Sequence, residues 1–205
     1  MVYKEIKIKT ELVSSDDLQY TYSITKTIEG IDGKDGIIIQ INPTITAEQI
    51  TELDNTTMHL LNHMQEIGFR SVQMINLFSK VNKGKMSSKN LELDIDNIKY
   101  IESIMKDKSF KDKVFVVAWG ATMINSKICN EAKRQIITMF RKHNKNGTIW
   151  QLRSSKLDVA RYPAVHVLYL GIRHKTEKWS LIPFDTSEID KQIKDTQLRI
   201  IKDGE

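Results

Sequence analysis

The chain has 205 residues, 40% of them hydrophobic, which suits one domain with a sizeable core. Its 31 basic and 26 acidic residues give a net charge of +5, which permits contact with nucleic acid but is equally typical of a lysine-rich solvated surface. A single cysteine, Cys129, excludes an internal disulfide and a thiolate metal cluster, and no apolar run is long enough for a signal peptide or a membrane span. We therefore expect a soluble cytoplasmic protein, and the abundant Ile, Lys and Asn are typical of a bacterial, mobile-element or phage source.

Alternating apolar and polar residues predict two strands near the N-terminus. The alternation covers residues 6–12 and 20–25, with the period of half-buried strands, so we predict an antiparallel hairpin within residues 1–29. Glycines then interrupt the chain before Ile37-Ile38-Ile39, a short apolar run that is typical of a strand covered on both faces.

Strands and helices are predicted to alternate after this point. Apolar residues at helical spacing predict three helices, over residues 50–67, 95–105 and 128–140, and Gly68 ends the first of them. Short apolar runs predict further strands at residues 72–77, 114–117 and 165–170. The segment 187–201 is predicted to be a terminal helix.

This pattern predicts an α/β fold. Buried strands separated by helices need crossover connections, so we expect a three-layer αβα domain with a central, mostly parallel sheet and an added N-terminal antiparallel strand pair. We expect a single domain over residues 1–205, divided into the hairpin (1–29), the core (35–184) and a C-terminal helix (185–205).

Ligands of such sheets bind at the carboxyl ends of the strands. The residues that follow the predicted strands are Asn42-Pro43, Asn76, Trp119-Gly120, and Gly171 with Arg173 and His174. Pro43 restricts where Asn42 can point, although an Asn-Pro pair also commonly begins a turn. Asn76 ends an apolar run, where its amide either caps a backbone group or binds a ligand.

The order of these segments resembles three motifs of the uracil-DNA glycosylase superfamily. The matching segments are Ile41-Asn42-Pro43-Thr44, Asn76-Leu77-Phe78 and the stretch 114–121 that contains Trp119-Gly120. With Asp54, Thr56 and residues 20–23, they more closely resemble an uncharacterised bacterial and phage family, domain-of-unknown-function family sixteen-forty-three. The resemblance extends from about residue 18 to residue 184.

The glycosylase resemblance implies a role for each motif. Asn42 takes the place of the residue that positions the attacking water, although an asparagine cannot serve as a general base. Asn76 takes the place of the asparagine that pairs with the edge of an extruded pyrimidine. The implied ligand-binding set is Pro43, Asn76, Phe78, Trp119 and Gly120.

The last motif departs from the superfamily pattern. Where the superfamily has a His-Pro segment, whose histidine stabilises charge on the departing base, this chain has Trp179-Ser180-Leu181-Ile182-Pro183. His174 is the candidate substitute, but a histidine between Arg173 and Lys175 is also typical of an exposed loop. Losing such a donor typically costs about 10²–10³ in rate, so we do not expect efficient uracil excision.

Basic residues near these motifs are candidate contacts to nucleic acid. Lys80, Lys83 and Lys85 follow the Asn76 strand and, with Arg173, could bind phosphates, although a solvated loop explains the lysines equally well. We predict no metal or cofactor, since His59 and His63 lack the glutamate of the zinc-protease pattern.

The sequence thus predicts a glycosylase-like pseudoenzyme. Its expected partner is single- or double-stranded DNA, or an acidic inhibitor protein that mimics DNA. One alternative is an active DNA glycosylase or nucleotide-processing hydrolase that uses Asn42 and His174. Another is an interaction domain whose former pocket is filled by Trp119 and Phe78.

Overall fold

One mixed sheet with helices packed against it organises the chain. The computed structural model describes residues 1–82, 84, 87, 91–121, 123–187 and 189–191. The elements in chain order are β1 (Lys7–Ser14), β2 (Thr21–Glu29), β3 (Lys34–Gln40), α1 (Asn55–Ile67), β4 (Phe69–Asn76), α2 (Ile95–Lys106), β5 (Val114–Val117), α3 (Lys127–His143), β6 (Ile149–Ser154), α4 (Val167–Arg173) and β7 (Trp179–Pro183). Short 3-10 turns cover Ala47–Gln49 and Lys108–Asp112.

The seven strands lie in the order β1-β2-β4-β3-β5-β6-β7. The central strands β4, β3, β5 and β6 are parallel neighbours. The other pairings, β1 with β2, β2 with β4 and β6 with β7, are antiparallel. The predicted N-terminal antiparallel pair is confirmed, but the prediction of a mostly parallel sheet is corrected, because half of the pairings are antiparallel.

Helices bury their apolar sides against two separate cores. Ile37 and Ile39 of β3 belong to the core that includes residues of α2 and α3, whereas Ile38 belongs to the core that includes residues of α1 and α4. Because successive residues of a strand point to opposite faces, the two cores lie on the two sides of the sheet. The apolar run in β3 therefore serves both cores, as the sequence predicted.

The helices α2 and α3 match the predicted ones closely, whereas α1 begins at Asn55, later than the predicted start at residue 50, and ends where Gly68 adopts a left-handed φ of 90°. The predicted strand at residues 165–170 is wrong, because Val167 begins the helix α4. A short apolar run does not distinguish a buried strand from a buried helix, and Val167 and Leu170 are both buried at helical spacing. Most of the terminal helix predicted over residues 187–201 lies outside the described residues.

The two histidines of α1 have packing roles. His59 lies against Gly171 of α4, and the ring of His63 stacks on Trp179 of β7 with centroids 3.8 Å apart. His63 Nδ1 also lies 2.8 Å from Glu66 Oε2. These contacts join α1 to α4 and β7. Within the described residues, the helices are all too short or too polar to cross a membrane.

Gly171→Ala should destabilise the protein, because the added methyl group would overlap the His59 ring. Alanine favours a helix by about 1 kcal/mol over glycine, but overpacking a tight contact costs about 1–3 kcal/mol. We expect a net loss in the free energy of unfolding, measured by urea denaturation. Adding His59→Ala to Gly171→Ala should relieve the overlap, and a double variant less stable than both single variants would contradict this explanation.

Candidate functional site

A cavity of about 190 Å³ lies at the carboxyl ends of β3 and β4. Its polar lining comes from several separate segments of the chain and includes Gln40, Asn42, Asp54, Asn76, Asn82 and His166. Its apolar lining includes Ile24, Ile45, Met74 and Leu168. The cavity thus has the mixed lining of a small-ligand site, in which a few polar groups fix the orientation of the ligand.

The backbone of Asn76 is fixed by α2, and its side chain is available to a ligand. Asn97 Nδ2 of α2 donates to the Asn76 backbone carbonyl at 2.7 Å. Asp94, which caps α2, accepts from Ser79 N and Ser79 Oγ at 2.7 and 2.6 Å, and so fixes the chain just after β4. No described residue makes a hydrogen bond with the Asn76 side-chain amide, which is 8% exposed and lines the cavity.

Asn42 connects two backbone segments beside the cavity. Its Nδ2 donates to the backbone carbonyls of Asn82, at 3.1 Å, and Pro43, at 3.3 Å. Asn82 N in turn donates to the Pro43 carbonyl at 3.0 Å. These bonds occupy the donor group of the Asn42 amide, so Oδ1 is the atom of Asn42 that remains for a ligand or a water molecule.

Gly120 allows the segment before α4 to approach the end of β5. Gly120 N donates to the Ala164 carbonyl at 2.6 Å, and Gly120 adopts a left-handed φ of 64°. A Cβ at this position would lie 3.2 Å from the Cβ of His166. Glycine therefore meets both requirements, the backbone conformation and the close approach, and His166 reaches the cavity as a result.

His166 is a neutral imidazole at physiological pH. Shielding of the ring from water lowers the pKa of His166 to about 4, and the nearby negative charge of Asp54 opposes this shift more weakly. Nδ1 accepts from Leu168 N at 3.1 Å, which assigns the ring proton to Nε2. No described residue accepts a hydrogen bond from Nε2, so His166 offers one N–H donor.

Asp54 supplies a carboxylate to the cavity. It caps α1, where Oδ1 accepts from Thr57 N at 2.7 Å, and Oδ2 accepts from the Thr44 hydroxyl. These bonds fix the orientation of the carboxylate while leaving it further lone pairs. The cavity therefore combines a fixed anion, a neutral N–H donor and the unpaired amide of Asn76.

The structure brings Asn42, Pro43 and Asn76 together at the cavity, as their strand-end positions predicted. Trp119 lies in the core, edge-on to Phe184 at 6.0 Å and with Lys133 Nζ 5.7 Å from its ring centroid. Phe78 is buried beside a separate groove of about 810 Å³ that is also lined by Tyr20 and Tyr22. The cavity beside Asn76 is therefore open and is not filled by these two aromatic rings.

His174 is not among the described residues that line the cavity. Its Nδ1 lies 3.1 Å from Glu177 Oε1, and its backbone carbonyl accepts from Trp179 Nε1 at 3.1 Å. Arg173 is exposed at the end of α4, and Lys80 is exposed beside Tyr20. Lys83 and Lys85 lie outside the described residues.

The sequence-based interpretation missed His166 and Gln40, and it assigned no chemical role to Asp54. His166 lies within residues 165–170, which were wrongly predicted to form a strand. The available signal was its position directly before Val167, where a side chain can cap a helix. Among the residues that the structure describes, His, Cys, Asp and Glu form no group of three that could hold a metal ion.

A family model described as "Protein of unknown function (DUF1643)" matches residues 22–163, which is more than half of the chain. The chain belongs to the DUF1643 family. The matched segment contains Asn42, Asp54, Asn76 and Gly120, whereas His166 follows it. No curated protein and no solved structure matches this DUF1643 chain.

The His166 pKa can be checked by NMR titration of its ring protons. We expect a midpoint near pH 4 instead of the ordinary value of 6.5. Between pH 4 and 6.5 the unfolded state would then bind more protons than the folded state. The free energy of unfolding should therefore fall as the pH is lowered through this window, and above it His166 should add no pH dependence. His166→Gln should remove this contribution, and a midpoint near 6.5 would show that burial does not control the ring.

Proposed function

We propose that this DUF1643 protein is a glycosylase-like base-binding protein, whose cavity accepts a single pyrimidine presented by nucleic acid. The observation that carries this proposal is the unpaired, buried amide of Asn76 in a cavity of about 190 Å³. An amide offers an adjacent donor and acceptor, which matches the N–H and carbonyl groups on the edge of a pyrimidine.

The dimensions and lining of the cavity support this ligand class. A volume of about 190 Å³ equals that of about six water molecules in the liquid, which suits one heterocyclic ring but not a duplex. Met74 and Ile24 supply apolar surface for the faces of a ring, and the polar groups are available for its edges.

The arrangement of the motifs also supports a glycosylase-like protein. The parallel strands β3, β4 and β5 bring Asn42, Asn76 and Gly120 to the same edge of the sheet. Packing of helices on both sides of the sheet is compatible with the three-layer arrangement that the glycosylase resemblance implies.

Nucleic acid is a better partner for this site than an acidic inhibitor protein. The exposed Lys80 and the net charge of +5 favour a polyanion in general, but the neighbouring groove is lined by Glu92, Asp94 and Asp96. An acidic protein that covered this groove would face like charges. A single base inserted into the cavity avoids that contact, because only the base needs to enter.

Asn76→Leu should weaken base recognition without loss of stability. We expect a single-stranded oligonucleotide with one uracil to bind the wild-type protein more tightly than the same strand with an abasic site, as measured by fluorescence anisotropy. In Asn76→Leu this preference should fall roughly 10- to 100-fold, the equivalent of a lost two-bond amide contact. Asn62→Leu, on the exposed side of α1, is the matched control, and an unchanged preference in Asn76→Leu would contradict the proposal.

A second candidate function is hydrolysis of the N-glycosidic bond, and the placement of His166 favours it. In this candidate function His166, which Val167 follows in place of a proline, would supply the donor that is missing from the segment that begins at Trp179. In this reaction water attacks the sugar carbon while the bond to the base breaks and the base takes the bonding electrons. His166 Nε2–H would stabilise the departing base, Asn42 Oδ1 would orient the water, and Asp54 would accept its proton.

An excision assay on uracil-containing single and double strands tests this candidate. His166→Gln should lower the rate by about 10²–10³, the typical effect of removing a donor aimed at developing charge. Asn42→Ala should also lower it. The matched control is His174→Gln, which should leave the rate unchanged because His174 lies beside Glu177 and is not among the described residues that line the cavity. An equal loss of rate in both histidine variants would contradict the role of His166, and no excision by the wild-type protein would contradict hydrolysis itself. Base binding alone would then remain as the proposal.

A further inference from the structure

Two amide side chains end neighbouring strands at the cavity. Gln40 is the last residue of β3 and Asn76 the last residue of β4, and the parallel register pairs them directly. On the same face of the sheet, two positions earlier, the strands carry Ile38 and Met74, which both belong to an apolar core. The apolar face of the sheet thus changes to two adjacent amides at the cavity.

Neither amide is satisfied by the protein. Gln40 is 7% exposed and Asn76 is 8% exposed, and both line the cavity. Within the described part of the chain, no hydrogen bond reaches either side-chain amide. Both amides instead keep access to the cavity, since no atom of either is among the fully buried, unpartnered side-chain atoms of the described residues, and they are available to a ligand there.

A third amide side chain, at a comparable depth, has a structural role in this fold. Gln151 of β6 is 5% exposed. Its Oε1 accepts from Ala164 N at 2.8 Å, and its Nε2 donates to the Pro183 carbonyl at 3.3 Å. Gln151 therefore supports the backbone with both ends of its amide, whereas Gln40 is bonded at neither end.

We propose that Gln40 is a second specificity-determining residue, which donates a hydrogen bond to a ring carbonyl next to the group bound by Asn76. This inference rests on the proposed base-binding function and deepens it. Neighbouring strands lie about 4.8 Å apart, and the two carbonyl oxygens that flank the ring N–H of a pyrimidine dione are separated by a comparable distance. Asn76 then binds the N–H and one carbonyl, and Gln40 binds the other. The preferred ligand class is a planar ring with an imide edge.

The test compares wild-type protein with Gln40→Met, an unbranched apolar substitution of similar length. The probes are uracil, 2-thiouracil and 4-thiouracil as free bases, with dissociation constants measured by calorimetry or ligand-observed NMR. Gln40→Met should bind uracil roughly 3- to 10-fold more weakly, as expected for one lost hydrogen bond. Wild-type protein should bind both thio analogues more weakly than uracil, since sulfur is a weak acceptor. In Gln40→Met the penalty should disappear for one of the two analogues.

The controls separate this inference from the proposed function. Absence of uracil binding to the wild-type protein would overturn the base-binding proposal and the role of Gln40 with it. Uracil binding that is lost in Asn76→Leu but unchanged in Gln40→Met would overturn the role of Gln40 alone. Without ligand, Gln40→Met should unfold at the same or higher urea concentration than wild type, because the Gln40 amide makes no hydrogen bond that supports the fold. A clear loss of stability would identify a structural role and contradict the inference.

Discussion

The parallel pairing of β3 with both β4 and β5 is the constraint on which the candidate site depends. This pairing places the carboxyl ends of three strands side by side, so that Gln40, Asn76 and the Trp119-Gly120 segment lie at one edge of the sheet. The register is specific because both faces of β3 are buried, and a slip by one residue would exchange the two cores. Packing that stabilises the sheet therefore also fixes the spacing of the polar groups that line the cavity.

The cavity is completed by a segment that is distant in sequence. The hydrogen bond from Gly120 to Ala164 brings His166 to the strand ends, and the absence of a side chain at Gly120 gives it room. Burial then keeps the imidazole neutral, and the backbone of α4 determines which ring nitrogen carries the proton. The result is an oriented N–H donor, the kind of group that stabilises negative charge without needing a proton from solution.

Several polar side chains in this fold support the backbone. Asp94, Asn97 and Gln151 bind backbone groups and hold the strand ends and loops in place. Gln40 and Asn76 are buried to a similar extent but have no partners among the described residues. Two adjacent amides that line one cavity and make no hydrogen bond with the described residues are the strongest physical reason to regard it as a binding site.

The sequence by itself determined the class of fold and half of the site. Periodicity located α1, α2, α3 and the strands β3, β4 and β5, because helical and strand spacing are local properties of the chain. Asn42, Pro43 and Asn76 could be found because residues after parallel strands converge on one edge. The strands β6 and β7, the antiparallel pairing of β2 with β4, the helix at Val167 and the partners of each amide were decided only by the tertiary structure. Short apolar runs suit either a strand or a helix, and whether a buried amide has a partner depends on contacts between distant segments. The two histidines show the same limit. His174 is the one close in sequence to the expected His-Pro motif, but it lies beside Glu177. His166 reaches the cavity because its segment packs against Gly120, a contact that no local pattern indicates.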